Sequence, residues 1–152
     1  MHGMSTNQEI LDELRREHED LKELLDTCDQ VADEVEDSGQ GGRALIEAVT
    51  RLLEAFASHN RAEEMALRPI LLEADSFGEV RVAQMMEDHL AEHAAIVSVL
   101  RDIVLVDDLA LAARALRACT DRIRQYMETE ERQYLNDKVV RDDLVAIDFS
   151  DG

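Results

Sequence analysis

The chain has little of what builds strands and turns. Among its 152 residues are six Gly and one Pro, and aromatic residues make up only 3%. Ala, Leu, Glu and Arg dominate instead, and these are helix formers, which argues against an all-β fold. Basic residues are scarce: 16 Lys and Arg stand against 35 Asp and Glu, leaving a net charge of −19. That balance argues against nucleic acid as a partner, because such binding relies on Lys and Arg neutralising phosphates. It argues equally against docking on anionic lipid. The chain contains no run of about 18 apolar residues, so no membrane span is expected. Cysteine is limited to Cys28 and Cys119, far apart and without a CxxC spacing, which suggests reduced thiols rather than a disulfide framework. The opening Met1-His2-Gly3-Met4-Ser5-Thr6 lacks the charged-then-apolar pattern of an export signal, and the protein is expected in the cytoplasm. Hydrophobic residues reach 45%, enough for a core, so the high charge does not mean disorder.

Three breaks divide the sequence. They are Ser38-Gly39-Gln40-Gly41-Gly42, then Asp75-Ser76-Phe77-Gly78 shortly after Pro69, and the pair Asp107-Asp108. Carboxylates at the third break suit a helix start, where they meet the positive end of the helix dipole. The segments between predict helices at roughly 6–37, 42–73, 77–104 and 107–135. Short connections force neighbours antiparallel. The expected fold is all-α, an up-down-up-down four-helix bundle over residues 6–136, with 137–152 as an acidic C-terminal tail of no assigned role.

The 3-4 hydrophobic spacing traces an inward seam along each segment. It reads Leu11, Leu14, His18, Leu21, Leu25, Cys28, Val35 in the first and Leu45, Val49, Leu52, Phe56, His59, Glu63, Ala66, Ile70 in the second. It reads Val82, Met86, His89, His93, Ile96, Leu100, Ile103 in the third and Leu109, Ala112, Leu116, Cys119, Ile123, Tyr126, Glu130 in the fourth. The register runs through every polar residue without a break. His18, His59, Glu63, His89, His93, Tyr126 and Glu130 are therefore predicted to point inward. Counting along antiparallel helices places them in one layer, with Leu21, Phe56, Ile96 and Ile123 on one side and Leu14, Ala66 and Met86 on the other.

A lone His on an apolar seam is more often a hydrogen-bonded core residue than a ligand. Here four of the five His in the chain share the seam with two carboxylates. Burying ionised carboxylates without a compensating charge is very costly, and no Lys or Arg occupies a seam position near the layer. A metal cluster is the simplest compensation. Residues at i and i+4 share a helix face, so His59/Glu63, His89/His93 and Tyr126/Glu130 can each converge on it. Imidazole with carboxylate suits iron, and also zinc, manganese or copper. Seven candidate ligands exceed the need of one ion and favour two, bridged by carboxylates.

At these residues the chain resembles the hemerythrin-like, or HHE cation-binding, family over about residues 8–136. The first-helix His stands in Arg16-Glu17-His18-Glu19-Asp20-Leu21, and His59-Asn60-Arg61-Ala62-Glu63-Glu64 supplies HxxxE ahead of Pro69. His89-Leu90-Ala91-Glu92-His93 supplies HxxxH. The resemblance implies a four-helix bundle with a non-haem di-iron centre, two Fe ions bridged by oxo or hydroxo, Zn or Mn being substitutes. It implies a small partner, O2, NO or peroxide, and either a reactive centre or, alternatively, a metal-storage or metal-sensing bundle without turnover. The fourth helix departs from the family. Tyr126-Met127-Glu128-Thr129-Glu130-Glu131 puts Tyr126 where the family usually has His, and no His follows His93. Tyr126 is expected either to ligate as tyrosinate, which iron accepts in catalase haem, or to hydrogen-bond a metal-bound oxygen.

Other patterns are weaker. His89-Leu90-Ala91-Glu92-His93 also spells the inverted zinc-peptidase motif, but Glu92 lies off the seam and is expected in solvent. The ferritin-like Glu-x-x-His is excluded, because Arg15, Phe56, Met86 and Leu90 stand three residues before the four His. Glu64 and Glu131 are read as surface carboxylates and the two Cys as core residues rather than a redox pair. A bundle of this size can be a monomer or a weak homo-oligomer.

Overall fold

The computed structural model describes residues 5–73 and 78–135, so the 137–152 tail and most of the Asp75-Ser76-Phe77-Gly78 break lie outside the described residues. Among the described residues there are four helices: α1 (Ser5–Ser38), α2 (Gly42–Glu73), α3 (Glu79–Ile103) and α4 (Leu109–Gln133). Each starts or ends within two residues of its expected place. Among the described residues no helix is long and apolar enough to cross a membrane.

The turns follow from local chemistry. α1 stops where Gly39 and Gly41 adopt positive φ values of 70° and 98°, the left-handed region that glycine enters at little cost. The Gly39 N–H returns to the Val35 carbonyl at 2.8 Å and satisfies one of the helix's last acceptors. α4 starts at Leu109 rather than 107, because the second carboxylate of the acidic pair is the cap: Asp108 accepts the Leu111 N–H at 3.2 Å.

α1 packs against both α2 and α4, and α3 also lies between α2 and α4, which closes an up-down-up-down bundle. Polar ties fix the α1–α4 register. Thr120 donates to Asp29 at 2.6 Å, Arg124 pairs with Asp26 and Asp29, and Arg117 pairs with Asp33 and Glu36. Arg122 grips Glu92 through two nitrogens at 2.9 and 3.0 Å, so Glu92 faces α4 at the surface and not the interior.

The core is not continuous. One apolar cluster contains Leu21, Phe56, Ile96 and Ile123, and a second contains Leu14, Leu67 and Met86. Between them lie the buried polar side chains His18, His59, Glu63, His89, His93 and Glu130. The expected layer and its two apolar flanks are therefore present, with three corrections to the seam. Leu67 is buried where Ala66 was expected, and Ala66 is only half-buried. Met127 is buried beside a half-buried Tyr126, and Leu109 is half-buried. A helix of 3.6 residues per turn drifts from a strict 3.5 repeat, so the buried stripe slides by one residue towards the end of a long helix.

Candidate metal centre

Each helix contributes to the layer for a local reason. α2 and α3 present pairs four residues apart, and α4 presents Tyr126 and Glu130 in the same spacing, so each pair stands on one face. α1 presents His18 alone.

Glu63 sits at the middle. Its Oε2 lies 2.6 Å from His59 Nε2 and 3.2 Å from His18 Nε2, and its Oε1 lies 2.6 Å from His89 Nε2. Glu130 mirrors it from α4: Oε1 is 3.1 Å from His18 Nε2 and Oε2 is 2.8 Å from His89 Nε2. His93 Nε2 is farther out, 3.9 Å from Glu63 Oε1. Two sets of ligand atoms lie within 4.8 Å of one another: His18, His59, Glu63, Glu130 and Glu63, His89, His93, Glu130. Both carboxylates belong to both sets, the arrangement that two neighbouring cations with shared bridges require.

The donors fit such cations. Both oxygens of Glu130 are buried and make no hydrogen bond, although ring nitrogens stand close to them off the line of an N–H. An anionic group so placed has no compensation within the protein that matches its lone pairs. With metal–ligand bonds of ~2.1 Å, adjacent donors of an octahedron stand ~3.0 Å apart. The nitrogen–oxygen separations of 2.6 to 3.2 Å bracket that spacing.

Beyond the layer, carboxylates hold the far side of three rings. Glu131 Oε2 is 2.8 Å from His18 Nδ1, Glu17 Oε1 is 2.7 Å from His59 Nδ1, and Glu64 Oε1 is 3.4 Å from His93 Nδ1. A carboxylate accepts the Nδ1 proton and so turns a bare Nε2 lone pair inward, the tautomer a metal needs. These contacts correct the surface reading of Glu64 and Glu131, which are about one-third exposed at 34% and 32% yet bonded to buried imidazoles. Glu17 is a new member of the site. It immediately precedes His18, off the seam, and hydrophobic spacing carries no signal for it. The fourth ring differs: the Tyr126 hydroxyl contacts His89 Nδ1 and lies 2.8 Å from His93 Nε2.

The electrostatics of the protein groups follow from this packing. Burial disfavours a charged His18, but the carboxylates of Glu130, Glu63 and Glu131 outweigh it and raise its pKa to about 10. His89 goes up to about 9 by the same contest, with Glu130 and Glu63 as its partners. His93 goes the other way, down to about 3, because burial acts on it with the nearby positive charge of His89. Burial alone would raise Glu63, yet His18, His59 and His89 hold it well below the ordinary carboxylate range. Burial and the Glu130 and Glu63 carboxylates push the Tyr126 phenol upward, so it keeps its proton here. The neighbouring carboxylates thus raise His18, His59 and His89 alike against the cost of burial, and His93 alone of the four is lowered.

Of the seven residues singled out in the sequence, six belong to the two convergent sets and Tyr126 touches two of their rings. Cys28 and Cys119 are free, buried in the apolar cluster on one side of the layer. No curated protein and no solved structure matches the chain. The hemerythrin family model, described as the hemerythrin HHE cation binding domain, matches residues 9–136. With that match covering most of the chain and a core that gathers imidazoles and carboxylates at one level, the protein belongs to the hemerythrin HHE cation-binding domain family.

Proposed function

We propose that this is a non-haem di-iron protein that binds or reacts with O2, NO or peroxide. The metal residues in this reading are His18, His59, Glu63, His89, His93 and Glu130, with the Tyr126 hydroxyl beside them on the rings of His89 and His93. The observation that carries it is the sharing of Glu63 and Glu130 by two ligand sets, together with the two Glu130 oxygens left without hydrogen bonds. His18 and His59 would hold one cation and His89 and His93 the other, with Glu63 and Glu130 within reach of both. Held by these residues, iron would supply electrons for a small oxidant or a binding place for a diatomic. The protein's own residues do the rest. Glu17, Glu64 and Glu131 fix ring orientation from outside, and Leu21, Phe56, Ile96 and Ile123 wall one side with apolar surface. A small neutral molecule crosses such a wall at less cost than a charged solute. Residues 6–136 form the functional unit in this proposal, working in the cytoplasm, where both thiols stay reduced.

Metal analysis of protein purified from its own host tests the metal, with two Fe per chain expected. The iron-loaded protein is then exposed in turn to O2, peroxide and NO while its visible absorption is recorded. A shifted charge-transfer band with at least one reagent is expected. Iron that ignores all three refutes the reactive centre and leaves a bundle that only stores or senses metal.

A further inference from the structure

Hydrogen-bond directions around His93 are fixed from outside the layer. Glu64 Oε1, near His93 Nδ1, only accepts, so the neutral ring carries its proton on Nδ1 and Nε2 is a bare lone pair. The Tyr126 hydroxyl, 2.8 Å from that Nε2, donates into it. A hydroxyl has one proton, so towards His89 Nδ1 the same oxygen accepts. His18 and His59 are held at Nδ1 by Glu131 and Glu17 in the same way, but their inward Nε2 atoms face carboxylate oxygens of Glu63 and Glu130, so a cation that displaces a proton there keeps the same anionic partners and breaks no hydrogen bond to a neutral group. His93 Nε2 is also the ring nitrogen farthest from the shared carboxylates, at 3.9 Å from Glu63.

We propose that Tyr126 makes the two cation positions unequal. The position of His18, His59, Glu63 and Glu130 fills first, and the Tyr126 hydroxyl occupies the lone pair of His93 that the second position needs. The second cation must break that hydrogen bond, and until it does that ion lacks one imidazole. Tyr126 is thus a positioning residue that sets the order and strength of loading. This inference rests on the two-cation reading above.

The test is an anaerobic titration of the metal-free full chain with Co(II), followed by calorimetry and visible absorption. Two steps are expected, the first at least tenfold tighter. Tyr126→Phe should leave the first step in place and tighten the second by about tenfold, the equivalent of one net hydrogen bond. Loss of the second step in that variant would make Tyr126 a donor to the metal and overturn the proposal. A single two-equivalent step in the unaltered protein, unchanged by Tyr126→Phe, would overturn it too. If no Co(II) binds at all, the two-cation reading itself fails. Independently of any variant, long-range 1H–15N spectra of the metal-free protein should show His93 with its proton on Nδ1, and a proton on Nε2 refutes the inference.

Discussion

Glu130→Gln separates a carboxylate kept for metal from one kept for structure. The change preserves shape and removes charge at a side chain that is buried and without hydrogen bonds. Were Glu130 structural, its ion pairs with His18 and His89, at 3.1 and 2.8 Å, would be lost, and breaking such buried pairs typically costs ~3–5 kcal/mol. The metal reading predicts otherwise. The amide relieves the repulsion from Glu63 and removes a poorly solvated anion, which offsets the stability that protonated His18 and His89 draw from Glu130. The metal-free variant should therefore melt within a few degrees of the parent. Metal binding should fall sharply, since one of the two carboxylates common to both ligand sets is gone. Taking a loss of about a hundredfold, the upper end of the range seen for outer-shell partners, metal at ~1,000 times the parent Kd stabilises the parent by ~4 kcal/mol and the variant by only ~1.4 kcal/mol. At ~3–5 °C per kcal/mol for a bundle of this size, the metal-induced rise in Tm should shrink from ~15 °C to ~5 °C. Scanning calorimetry with and without Co(II) reads both quantities. A metal-free variant that melts ~10 °C low, with its metal increment intact, refutes the reasoning.

Three more outcomes are expected. In metal-free protein, His18 and His89 have pKa values raised from 6.5 to about 10 and about 9, so the stability they contribute is full below pH 6.5 and is lost as pH climbs through 9 to 10. Denaturant midpoints of the apoprotein should fall across that window, and midpoints flat from pH 6.5 to 10 contradict the assignment. Burial pushes Cys28 and Cys119 up to about 11, which leaves about one thiolate in a thousand at pH 8. Both should resist iodoacetamide in the folded chain and react quickly in denaturant, as mass spectrometry will show; fast native labelling would mean they are exposed. Glu17→Gln should weaken metal binding by ~10–100-fold through the His59 ring it orients, with helicity by circular dichroism unchanged. Unaltered affinity would leave Glu17 a mere surface group.

Much of this architecture could be read from spacing alone. His18, His59, Glu63, His89, His93 and Glu130 continue apolar periodicities, and a polar residue that holds the register of a buried stripe has nowhere else to point. Ala66 and Tyr126 mark the limit of that reasoning: far along a helix a one-residue drift of the stripe selects Leu67 and Met127 instead. Glu17, Glu64 and Glu131 show a different limit. Each sits beside a layer residue in sequence, on the flank of its helix, and only the neighbouring helix supplies the imidazole it meets, in a chain with 35 acidic residues to choose among. The meeting depends on where helices sit side by side, which periodicity along one helix does not encode.

The interrupted core bears on how the bundle comes apart. The smaller apolar cluster, with Leu11, Leu71, Val82 and Leu135, gathers the start of α1, the end of α2, the start of α3 and the stretch after α4. The larger cluster lies at the other end, where the α1–α2 and α3–α4 turns join the helices. With the ring nitrogens holding protons, the two ends are joined by a charged waist, and the smaller end is free to fray by itself. Cations seated in that waist would draw all four helices to a common point and bind the halves into one cooperative unit. Amide hydrogens around Leu11 and Leu71 would then exchange at the pace of global unfolding, so that filling the centre is felt as rigidity about two turns of helix away.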